Sequence, residues 1–587
     1  MICRLYLFFL SGLIALVFLL IVGCGEKSSS GPYNIILISI DTLRPDHMSC
    51  YYYFQPTTPT IDALAMQGTV FDKALATSSW TLPSHTTMFT GLYPAFHGVQ
   101  DDGSKLANSI PTLAEHLKLG GYQTWGVVSH LYVSSQFGLE RGFDVFDDSL
   151  IEGGIRVPRA QEVVDRALEL ITAAESAPYF AFIHFYDPHW DYDPPPPFDT
   201  KFTDPDYDGL IDGTMRTMLP YLDGSQAMPP GGLRHIVNLY DGEIAYVDAE
   251  IDRLLGNLEQ AGKLKNTIIV VTSDHGEEFR DHGRLGHQKS LFREVMEVPL
   301  IISGHPAFPP GQRRRDLTSL IDLAPTLLEL AGAEPLPTIQ GQSLVANETP
   351  ANRVLYAESI RFGNEMRAAQ QKNEKVIHYL QGDTKIFFNL QTDPKEFQPM
   401  QQDPTGGQLL AALADYASLA DAGWHLKMIA LTQDRVRLSG TVHTDGQLIA
   451  PRQYFSDNLS GGSKAKIVKY TVSPDRHELS FDVILNMLMG EITFATEPAD
   501  SPVTFNVEVS REEKIGEVGV FLGEGTPIAS GEPITLVNSD ERASGLPLDY
   551  LKTTPGCYIR VVVPPADAGE EAKLSAEAIE KLRSLGY

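Results

Sequence analysis

Cysteine is scarce in this chain, four in 587 residues, and positive charge is short, 46 lysines and arginines against 75 aspartates and glutamates for a formal net charge of −29. No long basic run offsets that balance, which excludes a nucleic-acid partner and an anionic-lipid docking surface; any positive patch has to be local to a site. Two cysteines, Cys3 and Cys24, fall at the N-terminus and the other two, Cys50 and Cys557, lie far apart, so a disulfide framework is excluded as well. Cys50 reads as a small buried residue. The apolar run over 5–22 follows Arg4 and ends in Ile21-Val22-Gly23-Cys24. A charged start, an apolar stretch and a small residue ahead of cysteine form the pattern of a bacterial lipoprotein signal over 1–23, with Cys3 removed and Cys24 lipidated as the mature N-terminus. An uncleaved anchor is the alternative, because about 18 apolar residues approach spanning length. In either case the body is expected outside the cytoplasm, held to a membrane at the periplasm or cell surface, with 24–32 as a flexible tether rich in serine.

The length is too great for one core and implies two or three domains. From residue 31 to about 336, strand-like apolar runs alternate with helical patterns, which predicts an α/β fold with a mostly parallel sheet sandwiched by helices. Helices are expected over 60–67, 112–119, 159–174 and 240–258, the last with solvated acidic residues, and further strands over 125–129 and 179–186. Residues 191–232, rich in Pro, Asp and Gly, read as a long insertion.

Chemistry gathers at three places. Ser79-Trp80-Thr81-Leu82-Pro83-Ser84-His85 reads as a turn feeding a helix, since threonine, an apolar residue and an early proline form a helix-start signal. The free N–H groups of such a start favour an anion, and a hydroxyl placed there can attack phosphorus or sulfur. A threonine alcohol is a weak nucleophile at neutral pH, so it needs a base or a metal. Two buried-strand runs offer that activator: Asn34–Ile40 leads into Asp41, and 267–273 leads into Asp274-His275-Gly276. Ligands in open α/β sheets bind beyond the carboxyl ends of the strands, so Asp41, Asp274 and His275 are expected to converge on one crevice.

Asp41-Thr42-Leu43-Arg44-Pro45-Asp46-His47, Thr81-Leu82-Pro83-Ser84-His85, Thr90-Gly91-Leu92-Tyr93-Pro94 and Ser273-Asp274-His275-Gly276-Glu277 follow one another in an order and spacing that resembles the sulfatase family of the alkaline-phosphatase superfamily, over roughly residues 33 to 400. The resemblance implies an alkaline-phosphatase-like catalytic domain over 33–350 and a small antiparallel C-terminal subdomain over 351–422. It also implies a metal-dependent hydrolase or transferase of phosphate or sulfate esters. Most sulfatases carry Cys or Ser, oxidised to formylglycine, where this chain has Thr81, and Arg where it has His85; threonine cannot form that aldehyde, so Thr81 is expected to attack directly. Thr42 stands in place of a second aspartate, and His275 where many sulfatases have Asn. The resulting donors, Asp41, Thr81, Asp274 and His275, suit one Mn²⁺ or Zn²⁺ better than Ca²⁺, which prefers an all-oxygen shell. By the same resemblance His189 contacts substrate or protonates the leaving group, and His287, or Lys289 in its place, binds the ester oxyanion. His85 and His130 are further substrate contacts, Ser129-His130 standing where a Lys-containing element is usual. His282 orders a loop.

Past residue 422 the family pattern stops. Period-two runs such as Arg435-Val436-Arg437-Leu438-Ser439 and Tyr558-Ile559-Arg560-Val561-Val562-Val563, separated by Gly, Pro, Asp and Ser, predict an added β-sandwich over 423–566, and 567–587 reads as a helical tail. Three functions follow. The first is a phosphoester hydrolase using Thr81, on a phosphodiester or phosphomonoester. The second is a sulfate-ester hydrolase or a phospho-headgroup transferase, and the third a catalytically inactive surface lipoprotein whose sandwich binds glycan. Substrates are expected among small esters, lipid headgroups and glycans. Replacing the lipidation residue, Cys24→Ala, is expected to abolish incorporation of labelled palmitate and to release the protein from washed membranes; retention on membranes without label would identify an uncleaved anchor.

Overall fold

The computed structural model describes residues 32–562 apart from short internal stretches, the longest being 456–465 and 544–553; the expected signal, Cys24, most of the tether and the helical tail lie outside the described residues. Asn34–Ile40 (β1), Gly68–Phe71 (β2), Gln123–Val127 (β3), Val145–Asp147 (β4), Tyr179–Phe185 (β5), Thr267–Thr272 (β6), Leu300–Ser303 (β7) and Gln312–Arg314 (β8) form one sheet, in the order β8-β2-β7-β6-β1-β5-β3-β4. β1 lies between β5 and β6 and is parallel to both, while β7 runs against its two neighbours. Every residue of β1 is buried, and its side chains alternate between two cores: Ile35 and Leu37 enter one, and Ile36, Ile38 and Ile40 the other. Burial on both faces is the reason the run is apolar without interruption.

Six helices make the two covering layers: Pro59–Met66 (α1), Thr81–Thr90 (α2), Leu113–Leu119 (α3), Ala160–Ala173 (α4), Gly232–Gln260 (α5) and Leu323–Ala331 (α6). α2, α3 and α6 pack in the core that takes Leu37; α1, α4 and α5 pack in the one that takes Ile38. The expected helix over 240–258 begins earlier, at Gly232, and only some of its acids are solvated, Asp252 among them. Asp241, Glu243 and Asp248 are buried. Each faces inward to satisfy donors that burial would otherwise orphan: Asp248 accepts from the Thr60 and Ile61 amides at the start of α1 (2.9 Å each), Glu243 from the Asp193 amide (2.9 Å), and Asp241 from the Tyr53 hydroxyl (2.7 Å) beside the His47 imidazole. Cys50 is half-buried rather than fully buried.

Val354–Ser359 (β9), Met366–Gln371 (β10), Glu374–Tyr379 (β11) and Thr384–Asn389 (β12) form an antiparallel sheet in sequence order, with Gln408–Ala420 (α7) packed against it. Beyond α7 a six-stranded and a five-stranded sheet, mostly antiparallel, enclose a separate core in which Trp424 and Phe494 of one sheet meet Phe505 of the other. Buried ion pairs join this sandwich to the sheet before it. Lys427 donates to Glu365 (3.0 Å) and Glu491 (3.3 Å), and Arg367 bridges Asp421 to Glu358, whose other oxygen accepts the Ala95 amide (3.0 Å) just beyond α2.

Asp187, two residues past β5, accepts the Ala160 amide at Oδ1 (2.9 Å) and has no partner at Oδ2. Burial pushes its pKa up to about 7. A carboxyl raised in the folded state costs nothing below its ordinary range and destabilises increasingly as pH rises through its folded value. Asp187→Asn keeps the Oδ1 acceptor, so its melting temperature is expected to match wild type near pH 4 and to exceed it at pH 8, by the equivalent of a few kcal/mol; parallel melting curves across pH would refute this.

Candidate active site

Asp41 follows β1 and Asp274 follows β6, on adjacent parallel strands, so the fold brings their carboxyls together at the sheet's carboxyl edge. One ligand atom from each of Asp41, Asp274 and His275 lies within 4.8 Å of the others. His275 donates Nδ1–H to the Gly276 carbonyl (3.0 Å), which leaves the Nε2 lone pair free. That nitrogen stands 3.3 Å from Asp274 Oδ2, 3.7 Å from Asp41 Oδ1 and 3.4 Å from Thr81 Oγ1. Thr81 is the first residue of α2, and Trp80 before it supplies no side-chain cap, so the helix presents uncapped amides beside the hydroxyl. Thr42, held at φ 55° in the left-handed region, turns the chain away after Asp41, and its carbonyl takes the Tyr240 hydroxyl (2.7 Å).

These donors fit a cation. Both oxygens of Asp41 and Oδ2 of Asp274 are buried with no hydrogen-bond partner, whereas Asp274 Oδ1 takes the amides of Thr42 (3.3 Å) and His275 (3.0 Å). Burial, then the charge of Asp274, pushes Asp41 well above the ordinary carboxylate range. In Asp274 burial acts upward but His275, His85 and His184 outweigh it and hold the group at about 2. Burial pulls His275 down, yet the two carboxylates raise it above its usual value. A buried group of this kind calls for positive charge at its centre, which a divalent ion supplies.

The other expected residues divide. His85 reaches the site but is spent within the protein: Nδ1 donates to the Thr81 carbonyl (2.9 Å), Nε2 meets Ser39 Oγ (3.0 Å), and the ring is wholly buried beneath α2. Its Nδ1 also lies 3.6 Å from Asp274 Oδ2, which places the ring among the buried groups of the site. His189 donates Nδ1–H to the Trp190 carbonyl (2.8 Å), leaving Nε2 free. Burial, then His287, pulls its pKa well below the usual value, so the resting ring is neutral and accepts a proton before it can give one. His287 lies between His275 and His189, with ring centroids 4.5 and 5.0 Å away. Its Nδ1 is fixed by Glu277 (3.0 Å), a residue the sequence offered only as part of a motif. His130 stacks on Tyr186 (centroids 4.3 Å), which stacks on His189 (4.3 Å), so it lines the approach two rings out. Lys289 is not brought in: its carbonyl is taken by Arg284, and its charge is felt by Asp223 in the 191–232 insertion. Gln288, between His287 and Lys289, is held in the left-handed region (φ 79°). His282 binds Glu294 (2.6 Å) and stacks on Phe292, as a loop-ordering residue does. His184 was missed. It occupies the last inward-facing position of β5, beyond Phe180 and Phe182 in the same core, and its Nε2 is 3.6 Å from Asp41 Oδ2.

The sheet, the helix-start hydroxyl and the acid pair define a metal-dependent ester hydrolase of the alkaline-phosphatase type. The Sulfatase family model matches residues 33–333, and a second, described as N-sulphoglucosamine sulphohydrolase, C-terminal, matches 281–419; the chain belongs to the sulfatase family. It is 26% identical over 413 residues to an N-acetylglucosamine-6-O-sulfatase of Bacteroides thetaiotaomicron, covering 56% of this chain and 74% of that protein. Among solved structures, one in complex with its substrate D-glucosamine-2-N,6-O-disulfate superposes with a TM-score of 0.57 at 23% identity, over 66% of this chain and 98% of that one. The phosphonate monoester hydrolase of Agrobacterium radiobacter superposes with a TM-score of 0.52 at 22% identity, over 66% and 93%. The relative is thus named for a sulfate ester and this structural neighbour for phosphonate monoesters.

Purified protein is expected to carry one divalent ion per chain by elemental analysis, and Asp274→Asn none. Saturating metal at about a thousand times its dissociation constant should stabilise the apoprotein by about 4 kcal/mol, read as a higher melting temperature that a chelator reverses. An equal response in Asp274→Asn would remove the metal from this site.

Proposed function

We propose that this protein is a sulfatase-family hydrolase that uses Thr81 as its nucleophile on monoanionic phosphate esters, phosphodiesters first. The observation that carries the reading is Thr81 Oγ1 at an uncapped helix start, 3.4 Å from a free imidazole nitrogen and beside three carboxylate oxygens without partners. Asp41, Thr81, Asp274 and His275 would hold one divalent metal, Mn²⁺ or Zn²⁺ in preference to Ca²⁺, because an imidazole and few oxygens suit the former pair. Bound there, a metal ion lowers the hydroxyl pKa and polarises the ester oxygen.

Thr81 Oγ, its proton released to solvent, attacks phosphorus, the bond to the leaving alcohol breaks, and the uncapped amides of α2 bind the oxygen that gains charge. His189 Nε2, neutral at rest, takes up a proton from solvent once the anionic substrate is bound and hands it to the leaving oxygen. Burial pushes Glu277 up to about 8, so its protonated carboxyl donates to His287 Nδ1, and the ring proton on Nε2 is donated to a non-bridging oxygen. Water then attacks the threonyl phosphate and releases Thr81; an alcohol in place of water makes the same site a transferase of a phosphate-containing headgroup. Charge favours the diester. Among the described residues, the side chains in contact with Asp41, Thr81, Asp274, His275 and His189 are imidazoles, carboxyls, hydroxyls and aromatic rings, with no ammonium or guanidinium to offset a second negative charge. A sulfate monoester is also a monoanion, and the sulfatase named among the relatives makes sulfate esters the second reading. The complete set of reactive groups sets both above an inactive glycan-binding protein. A lipid on Cys24 would hold the enzyme at the outer surface of a membrane, with the sandwich over 423–566 docking it or binding glycan; no described helix is long and apolar enough to span one.

The test is turnover of aryl phosphodiester, aryl phosphate and aryl sulfate with Mn²⁺, Zn²⁺ and Ca²⁺. The diester should lead, Thr81→Ala should lose at least a thousandfold in kcat/KM, and Thr81→Ser should keep measurable activity. Sulfate ahead of diester would install the second reading, and Thr81→Ala within tenfold of wild type would refute the nucleophile.

A further inference from the structure

His184 faces Asp41 Oδ2, whereas His275 faces Oδ1. β1 and β5 pair Ser39 with His184, and the alternation of both strands turns these side chains toward α2, under the site. Ser129, at the end of β3, holds the ring: its amide N–H faces Nδ1 at 3.5 Å and its hydroxyl lies 3.1 Å from the same nitrogen. The Ser129 amide N–H can only donate, which makes Nδ1 an acceptor and puts the ring proton on Nε2, with the Ser129 hydroxyl shared between Nδ1 and the His184 carbonyl (2.8 Å). Nε2 lies 3.6 Å from Asp41 Oδ2, and neither atom has a hydrogen-bond partner. The ring is wholly buried.

Resting on the metal site described above, we infer that His184 is a positioning residue for the cation. Its Nε2–H closes on Asp41 Oδ2 and leaves Oδ1, the oxygen that faces His275, as the single oxygen Asp41 offers to the metal. Two consequences follow from the geometry. Asp41 is held as a one-oxygen ligand, which keeps the ion toward Thr81 and His275. A carboxylate pinned by a hydrogen bond also loses no side-chain freedom when the ion arrives, so affinity rises without any added ligand. The same proton on Nε2 excludes His184 itself from ligating, since a ligating imidazole nitrogen must be unprotonated.

The experiment compares wild type, His184→Gln and His184→Met as full-length proteins, stripped of metal and titrated with Mn²⁺ and Zn²⁺ by calorimetry. Glutamine places an amide N–H near the position of Nε2, and methionine fills the space without a donor. His184→Met is expected to bind metal 10–100-fold more weakly, and His184→Gln within about threefold of wild type, while the three apoproteins melt within a few degrees of one another. Wild-type affinity in His184→Met, or equal weakness in His184→Gln, overturns the inference. If His184→Met does not fold, long-range ¹⁵N NMR of the imidazoles of the intact protein, with His184 assigned by its loss in His184→Gln, decides through the tautomer: Nε2–H supports the role and Nδ1–H refutes it. A wild type that binds no divalent ion at all removes the metal site and this role together, whereas normal metal binding with a failed ester panel removes only the proposed chemistry.

Discussion

Two carboxylates held side by side in a dry interior are the constraint on which the site depends. Asp41 and Asp274 end neighbouring parallel strands, so their separation is set by backbone hydrogen bonds across the sheet and cannot relax by side-chain movement alone. Buried like charges at this range are unfavourable by several kcal/mol unless something positive lies between them. The surroundings are arranged accordingly: one oxygen of Asp274 is saturated by amides while the oxygens that face the centre are left bare. The hydroxyl of Thr81 is delivered to the same centre from a helix on the opposite layer, and its reactivity is a property of that meeting rather than of threonine.

Around this centre the imidazoles form a graded set. His275 faces the acids and is raised by them; His85, His184, His130, His189 and His287 lie around it, and burial pulls each of them down. Neutral rings can orient, accept and relay without adding fixed charge. The charge of the site is therefore adjustable only through what binds in it, which ties substrate charge to the choice of metal.

The sheet and the acid pair were legible in the sequence because both are local patterns: an uninterrupted apolar strand and a polar residue at its carboxyl end. Thr81 was legible for the same reason, as a helix start. What failed was anything decided by a neighbour distant in the chain. His184 stands inside an apolar run and reads as an ordinary core histidine; only the pairing of β5 with β1 shows that it shares a face with Ser39 and faces Asp41. The buried acids of α5 match a solvated stripe by spacing, yet they serve donors from α1 and from the loop after β5, which no periodicity within α5 reveals. Lys289 and His287 are two residues apart, and the packing of His287 against His275 and His189, which no spacing within the segment reveals, shows that it enters the site.

The pair of Lys427 with Glu365, and Arg367 held between Asp421 and the Glu358 that takes the Ala95 amide, give the C-terminal sandwich a claim on the catalytic half. Glu365 and Arg367 belong to the smaller sheet, but their counter-charges come from Lys427 and Asp421 farther along the chain. A protein cut short at the end of α7 would keep the first pair of side chains and lose the lysine opposite Glu365, uncovering a surface that was folded to be interior. The two parts are thus mortised together by charges buried between them.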